Sequence, residues 1–366
     1  MSTLAPGAAA PTQQAAMPPG RIDGPSAWRG DELAAQPERW LFRIDEEDQL
    51  ELERAVKGLQ QRSVPFHEIS PETFPLPRLG SHIKTLLHDQ LLNGLGFVLM
   101  RGLPVDRWSH EQSATAYLGI GSYLGSFRSQ NAKGHLLGHV RDLGLDIRNQ
   151  TTRYYQTTRQ LDYHTDSCDI VGLLCLKTSK EGGASRIVSS VTLYNEIRER
   201  RPDLLPLLFN LFPTDRRGEI PPGMDPWFEV PVFSWYEGKL NAIYSGQYIR
   251  SAQVNHPEAC RLSAAEHEAI DLLDQLADDP ALRLQMAFKP GDMQFLHNHQ
   301  VLHSRTDFID WPEPERKRHL LRLWVAPGAG RPLPPSYASR YGSLTPGDRG
   351  GIITKETKLK FVLEPE

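Results

Sequence analysis

The chain has 366 residues, of which 39% are hydrophobic and 23% are charged, and its formal net charge is −4. These values are typical of a globular protein with a substantial core, and they exclude the basic surface that nucleic-acid binding requires. The three cysteines are odd in number and form no Cys-x-x-Cys pair, which argues against a disulfide scaffold and favours a reducing compartment. No apolar run is long enough to cross a membrane, so we predict a cytoplasmic protein that binds neither membranes nor nucleic acid.

The predicted domain organisation begins with a disordered tail, residues 1–24. This segment is rich in Ala, Pro, Gln and Gly, and it has neither hydrophobic periodicity nor the basic stretch of a signal peptide. A single domain is predicted over 25–330, with helices over about 25–125 that buttress a β-rich core over about 95–330. Residues 331–366 form a C-terminal extension, which could pack across this domain or contact a second subunit of a homo-oligomer.

Helices come first in chain order. Asp45 is suited to cap a helix over 45–62. Its apolar stripe would consist of Leu50, Leu52, Val56 and Leu59. A second helix is predicted over 79–93, followed by a short strand over 96–100 and a third helix over 109–124.

From about residue 150 the pattern changes to short strands separated by Gly and Pro, which favours a jelly roll. The predicted strands cover 171–176, 185–190, 230–235, 240–244, 284–288, 293–296 and 319–325. One helix over 263–277 interrupts them. The predicted fold class is therefore α+β with a mainly β core, a double-stranded β-helix (jelly roll, cupin-like) with flanking helices.

The most informative residues are His164 and Asp166, in a His-x-Asp pair, and a distant His303. Two imidazoles and one carboxylate can hold iron(II) on one face and leave three octahedral positions open, as in non-heme iron oxygenases. A single His-x-Asp also occurs by chance, and a buried His or Asp is usually a structural, hydrogen-bonded group. Because His297 and His299 would share a strand face with His303, periodicity alone does not select the third ligand.

Arg318 and Arg322 lie four residues apart in an apparent strand, so their side chains would point to the same side. Two arginines in the interior of a jelly roll would be costly unless anions met them there. On a side that faces solvent they would be ordinary surface residues. The spacing alone leaves both interpretations open.

Five motifs follow one another over about residues 95–330. They are His164-Thr165-Asp166, Gly182-Gly183-Ala184-Ser185, Pro290-Gly291-Asp292, the spacing from Asn298 to His303, and Arg318-x-x-x-Arg322. In their order and approximate separations they resemble the motifs of the taurine dioxygenase-like (TauD/TfdA) family of Fe(II)- and 2-oxoglutarate-dependent oxygenases.

The resemblance implies a role for each matching residue. The catalytic residues and iron ligands would be His164, Asp166 and His303. Arg318 would bind the distal carboxylate of 2-oxoglutarate, and Ser185 stands where the family has a hydroxyl residue that contacts the same carboxylate. Arg322 could assist Arg318 or reach the substrate. Related halogenases have Gly or Ala in place of the carboxylate, so Asp166 favours oxygenation over halogenation.

The resemblance also implies a reaction. Fe(II), 2-oxoglutarate as cosubstrate and O2 would hydroxylate or desaturate a small polar molecule, with release of succinate and CO2. Gln160 and Tyr155, which precede the metal motif, are candidate substrate contacts. Two alternatives are an iron oxygenase of similar fold with another cosubstrate and a jelly-roll binding protein without catalysis.

Overall fold

The computed structural model describes residues 17–146 and 152–365. Its helices are α1 (Gly30–Ala34), α2 (Glu46–Gln61), α3 (Leu79–Thr85), α4 (His110–Ser122), α5 (Ser190–Arg200), α6 (Gly246–Asn255), α7 (Ala264–Ala277) and α8 (Ala338–Tyr341). Its strands are β1 (Leu41–Arg43), β2 (Phe97–Arg101), β3 (Ser126–Phe127), β4 (Leu137–Val140), β5 (Leu161–His164), β6 (Ile170–Lys177), β7 (Glu181–Gly182), β8 (Ser185–Ser189), β9 (Leu211–Asp215), β10 (Trp227–Pro231), β11 (Phe233–Tyr236), β12 (Lys239–Ala242), β13 (Leu284–Met286), β14 (Asp292–His297), β15 (Val301–Arg305), β16 (Phe308–Ile309) and β17 (His319–Ala326).

Side-chain caps fix where three of the longer helices begin. Asp45 accepts a hydrogen bond from the backbone N–H of Asp48 at the start of α2, and Asp48 accepts one from Asp45 in return. Ser109 and Ser263 form the same reciprocal cap at α4 and α7. Each of these reciprocal caps satisfies backbone N–H donors that the start of a helix otherwise leaves unpaired. The predicted helix over 79–93 is also confirmed, with its second half, Leu86–Leu92, wound as a π-helix.

Two sheets face each other and form the predicted jelly roll. In the described residues the larger sheet has the order β1-β2-β14-β6-β17-β3, with β4 also paired to β17, and the smaller has the order β13-β8-β15-β5. Only β1 and β2 run parallel among these pairs. Antiparallel strands from distant parts of the chain therefore lie side by side.

Side chains point alternately to the two faces of each sheet, and this alternation divides the core into layers. On β2, Val98 packs against α2, α3 and α4, whereas the adjacent Phe97 faces the smaller sheet. On β8, Val188 packs against α5 and α7, whereas Ile187 joins the core between the sheets. Neighbouring strand residues point to opposite faces, so each sheet buries both of its faces. The four layers are helices, large sheet, small sheet and helices.

The structure corrects parts of the sequence prediction. Leu50 is 49% exposed, so the buried stripe of α2 consists of Leu52, Val56 and Leu59. Residues 1–16 of the predicted tail lie outside the described residues. In the described part of the tail, Gly20 hydrogen-bonds to Tyr194 of α5, and Ile22 hydrogen-bonds to Asn195 of the same helix. Helices α5 and α6 and strands β5 and β15 were not predicted as such. Within residues 17–146 and 152–365, no helix has the length and apolar character needed to span a membrane.

A buried ion pair ties the C-terminal extension to the jelly roll. Nε and Nη2 of Arg349 donate to the carboxylate of Asp169, with an Nη2 to Oδ1 distance of 2.6 Å, and both side chains are almost fully buried. His299 lies 3.1 Å from the same oxygen. Burial opposes the charge, but the hydrogen bonds from His299 and Arg349 hold the pKa of Asp169 below its usual value. The extension is therefore part of the folded core.

We expect Arg349→Met to lower the free energy of unfolding by about 3–5 kcal/mol, because it leaves a buried carboxylate without its cation. Arg128→Met is the matched control. Arg128 pairs with Asp348 at 3.0 Å, but the Asp348 side chain is 75% exposed, so that pair should contribute less than about 1 kcal/mol. Urea unfolding of both variants provides the measurement. Equal losses would mean that the buried pair does not hold the extension.

Candidate active site

Three potential metal ligands meet where β5 and β15 pair. His164 and His303 occupy directly opposite positions of these antiparallel strands, so their side chains lie on the same face, with ring centroids 4.2 Å apart. Asp166 lies two residues after His164. Its Oδ1 is 3.7 Å from Nε2 of His164, and its Oδ2 is 3.7 Å from Nε2 of His303. One ligand atom from each residue falls within 4.8 Å of the others. The structure thus brings together the predicted trio.

The protonation of the trio suits a cation. Nδ1 of His164 donates to the backbone oxygen of Asp162 at 2.8 Å, which leaves Nε2 with a free lone pair. Burial lowers the pKa of His303 to about 3, so this imidazole is neutral at neutral pH. Burial opposes ionisation of Asp166, but the positive charge of Arg322 holds its pKa below the usual value. The neutral imidazole of His303, Nε2 of His164 and the carboxylate of Asp166 therefore face each other.

Neighbouring side chains fix the position of Asp166. Its backbone N–H donates to Oδ1 of Asn298 at 2.9 Å, and its Oδ2 accepts a hydrogen bond from Nε1 of Trp324 at 3.0 Å. Thr165, between the two ligands, is held by reciprocal hydrogen bonds with Tyr244. The carboxylate is therefore oriented before any metal arrives, which is how surrounding groups tune a metal site.

The other histidines of the region have different roles. His299 is committed to Asp169, and His297 is fully buried but does not join the trio. This geometry agrees with the choice of His303 that the family spacing implied. Among the described residues, a second group of three possible ligands consists of His110, His139 and His319. His319 is buried in this second group, and its Nε2 lies 2.8 Å from Nδ1 of His139.

A small cavity adjoins the trio and is lined by Arg318 and Ser185. Its volume is about 510 Å³, including the part that is open to solvent. Arg318 is 5% exposed, and its Nη1 has no hydrogen-bond partner among the described residues. Burial lowers its pKa to about 10, so the guanidinium stays charged at neutral pH. The Ser185 hydroxyl donates to Oε1 of Gln294 at 3.0 Å. A buried, charged and unpaired donor next to a metal site is suited to a carboxylate.

Gly183 leaves the space in which Arg318 lies. Its φ of +72° belongs to the left-handed region, and a Cβ there would come within 3.1 Å of Nε of Arg318. Any other residue would strain the backbone and crowd the guanidinium. Gly183 of the motif thus leaves room for the guanidinium of Arg318, which lines the small cavity.

Arg322 lies between the small cavity and a large cavity of about 1230 Å³, a volume that also includes the part open to solvent. Its Nε donates to Oε1 of Gln130 at 2.7 Å, and its Nη1 lies 3.9 Å from Oδ2 of Asp166. The guanidinium also contacts the faces of Tyr155 and Trp324, at 4.6 and 5.1 Å from the ring centroids. Arg322 therefore places a positive charge beside the carboxylate of Asp166 from a fixed position.

The two candidate substrate residues differ in position. Tyr155 lines both cavities, and its ring contacts Arg322. Gln160 is exposed and lines neither cavity, so the structure does not bring it to the site. Sequence reasoning missed Trp324, although it shares a strand face with Arg318 and Arg322 by simple alternation. No sequence pattern indicated Gln130, because its contact with Arg322 joins two distant parts of the chain.

We expect Trp324→Phe to weaken iron(II) binding by about 10–100-fold, because it removes the hydrogen bond that orients Asp166 while keeping an aromatic ring. Trp40→Phe is the control, since it also deletes an indole donor, which bonds to the backbone oxygen of Leu33 at 2.9 Å away from the trio. Iron affinity of the two variants under anaerobic conditions is the measurement. Unchanged affinity in Trp324→Phe would show that this hydrogen bond does not tune the site.

The model of the "Taurine catabolism dioxygenase TauD, TfdA family" matches residues 56–324. The chain belongs to this family. It is 29% identical over 327 residues to an FR-33289 synthase from Streptomyces rubellomurinus, with 88% of this chain and 95% of that protein covered. It is 30% identical over 318 residues to a taurine hydroxylase-like protein from Stachybotrys chartarum, with 83% and 79% covered.

A solved structure supports the fold. The chain superimposes on an asparagine oxygenase in complex with Fe(II), 3-hydroxyasparagine and succinate with a TM-score of 0.60 and 17% identity, covering 78% of this chain and 93% of that one. The predicted jelly-roll fold and the predicted class of enzyme are confirmed. This member of the TauD/TfdA family is an Fe(II)- and 2-oxoglutarate-dependent dioxygenase.

Proposed function

We propose that the chain hydroxylates a small polar molecule, with iron(II) held by His164, Asp166 and His303. The observation that supports this most directly is the convergence of three ligand atoms within 4.8 Å beside the unpaired guanidinium of Arg318. Bound there, iron(II), 2-oxoglutarate and O2 supply the oxidation of a substrate C–H bond, coupled to the release of succinate and CO2.

Arg318 and Ser185 are the proposed contacts of 2-oxoglutarate. The planar fork of Arg318 can donate two parallel hydrogen bonds to the distal carboxylate, and the Ser185 hydroxyl can add a third once it rotates away from Oε1 of Gln294. Both residues line the small cavity together with His303 and Asp166. Arg322 contributes by holding Asp166, which leaves Arg318 as the direct cation for the cosubstrate.

The large cavity is the proposed substrate site. It is lined by His164 and Asp166 as well as by Tyr155, so a molecule bound there lies next to the metal ligands. The complex of the asparagine oxygenase with a hydroxylated amino acid and succinate supports hydroxylation of a small molecule. Desaturation is the alternative outcome at the same site.

A reducing, cytoplasmic location agrees with the cysteines. Cys168 and Cys175 are buried thiols, Cys260 is an exposed thiol, and none of the three forms a disulfide in the described residues. We propose no nucleic-acid or membrane partner. Association into a homo-oligomer stays a prediction.

The proposed function is tested by an anaerobic titration of the protein with Fe(II), with and without 2-oxoglutarate. The expected result is a weak visible absorption band that requires both components, followed by a substrate screen in which succinate release reports turnover. Iron binding without any effect of 2-oxoglutarate would favour another cosubstrate. Absence of iron binding would favour a jelly-roll binding protein.

A further inference from the structure

Two arginines on the wall of the large cavity have no role in the reaction described so far. Arg340, in α8, lies with its guanidinium 4.8 Å from the ring centroid of Phe228, and Arg216 lies 5.0 Å from the same ring. Both line the cavity that also contains His164 and Asp166. Arg340 follows the family-matched residues 56–324, so the family pattern does not account for it.

Arg340 forms no ion pair and no side-chain hydrogen bond with the described residues, although Glu219 and Asp166 act on its charge from a longer distance. Burial lowers the pKa of Arg340, but a guanidinium stays protonated at neutral pH. The residue is partly buried, and a partly desolvated cation without an ion-pair partner is stabilised by an anion that binds to it.

Arg216 adds a second positive charge beside Arg340. Its Nε and Nη2 donate to the backbone oxygens of Asp225 and Ser339, at 3.0 and 2.6 Å, whereas its buried Nη1 has no partner among the described residues. Because Ser339 precedes Arg340 in α8, the hydrogen bond from Nη2 of Arg216 also anchors this helix. Burial first and then Arg340 lower the pKa of Arg216 to about 10, so it too is charged at neutral pH.

The carboxylates of the large cavity are engaged elsewhere. Glu219 pairs with Arg153 at 3.1 Å, and Asp166 is a proposed metal ligand. Asp215 accepts hydrogen bonds from Ser251 and from the backbone of residue 217, and it lies 3.1 Å from Nε2 of His256. Asp162 is exposed at the rim of the cavity. Among the described residues, no acid forms an ion pair with Arg216 or Arg340, although Asp225 and Glu219 attract these guanidinium groups from a longer distance.

We propose that Arg340 binds an oxyanionic group of the substrate, such as a phosphonate, phosphate, sulfonate or carboxylate, with Arg216 supplying a second positive charge beside it. The proposal rests on the proposed function, because it assigns the large cavity to the substrate. A guanidinium fork matches an oxyanion in charge and geometry. Anchoring the anion at Arg340 would direct the rest of the molecule toward the metal trio.

The geometry separates this subsite from the 2-oxoglutarate site. Arg340 lines the large cavity and not the small one, whereas Arg318 lines the small cavity and not the large one. The two arginines therefore serve different ligands. A change at Arg340 should alter substrate binding and leave the requirement for 2-oxoglutarate as it was.

The test measures binding of methylphosphonate, methanesulfonate and acetate to the protein loaded with Fe(II) and 2-oxoglutarate, without O2 and at constant ionic strength. Calorimetry is expected to show that Arg340→Gln binds the preferred anion at least about tenfold more weakly than the unchanged protein. Arg340→Lys should recover part of the affinity, because it keeps the charge and loses the fork. Arg54→Gln, an exposed position on α2, is the control and should bind normally.

Each outcome has a defined meaning. Tighter binding of methylphosphonate or methanesulfonate assigns a tetrahedral oxyanion, and tighter binding of acetate assigns a carboxylate. Equal anion affinity in the unchanged protein and in Arg340→Gln overturns the proposal, as does a substrate without an anionic group. If Arg340→Gln does not fold, a loss of affinity in the folded Arg340→Lys supports the proposal and full affinity overturns it. The 2-oxoglutarate-dependent absorption band should persist in the folded variants, and its absence from the unchanged protein would contradict the proposed function instead.

Discussion

Replacing His303 with alanine is expected to abolish turnover and to weaken iron(II) binding by more than about 100-fold. The loss should exceed the 10–100-fold effect of groups that only orient a ligand, because one of three direct ligands is removed. His164→Ala and Asp166→Ala should behave in the same way. Iron content after anaerobic loading and succinate release provide the two measurements, and circular dichroism checks that each variant is folded.

The matched control comes from the second histidine cluster. His139 lies 2.8 Å from Nε2 of His319 and 2.9 Å from the backbone oxygen of Val362, so its ring nitrogens are already engaged. His139→Ala should keep the catalytic iron and the dependence on 2-oxoglutarate. If His139→Ala lost the iron while His303→Ala kept it, the metal would belong to the other cluster.

Arg318→Leu is expected to raise the concentration of 2-oxoglutarate needed for half-maximal turnover by at least tenfold, with a small effect on iron affinity. The substitution removes a charge-assisted contact worth about 1.5–3 kcal/mol, and about 1.4 kcal/mol already corresponds to tenfold. Titration of 2-oxoglutarate against succinate release gives the result directly.

Arg316→Leu is the control for this prediction. Arg316 lies two residues before Arg318, but its side chain is 49% exposed and stacks on Trp311 with its guanidinium carbon 3.6 Å from the ring centroid. Its loss should leave the cosubstrate requirement unchanged. An unchanged requirement in Arg318→Leu would transfer the role to Arg322 or would reject 2-oxoglutarate as the cosubstrate.

The sequence predicted those features that depend on local pattern. Asp45 and Ser109 indicated helix starts because capping is a local interaction, whereas only the resemblance to the family motif, with its spacing from Asn298, selected His303 from three candidates. Helix α5 escaped prediction because Val191, Thr192 and their neighbours are buried nearly all round, which removes the amphipathic signal. Strands β5 and β15 were not among the predicted strands, although they present His164 and His303.

The remaining features depend on contacts between distant parts of the chain. No local pattern indicates that Gln130 bonds to Arg322, or that His110, His139 and His319 gather from α4, β4 and β17. Gln160 shows the opposite error. Its sequence position four residues before His164 suggested a substrate contact, but the chain turns it toward solvent.

The C-terminal extension contributes residues to the large cavity, which is the proposed substrate site, but not to the small cavity, which is the proposed 2-oxoglutarate site. It adds Arg340, Tyr341 and Ile352 to the large cavity and nothing to the small one, while the pair of Arg349 and Asp169 fastens it. On the proposed assignment of the large cavity, part of the substrate recognition therefore lies in a stretch of sequence that adds no residue to the small cavity. A related dioxygenase could therefore exchange this extension, with the fastening pair kept, and acquire a different substrate preference while its iron and cosubstrate sites stay as they were.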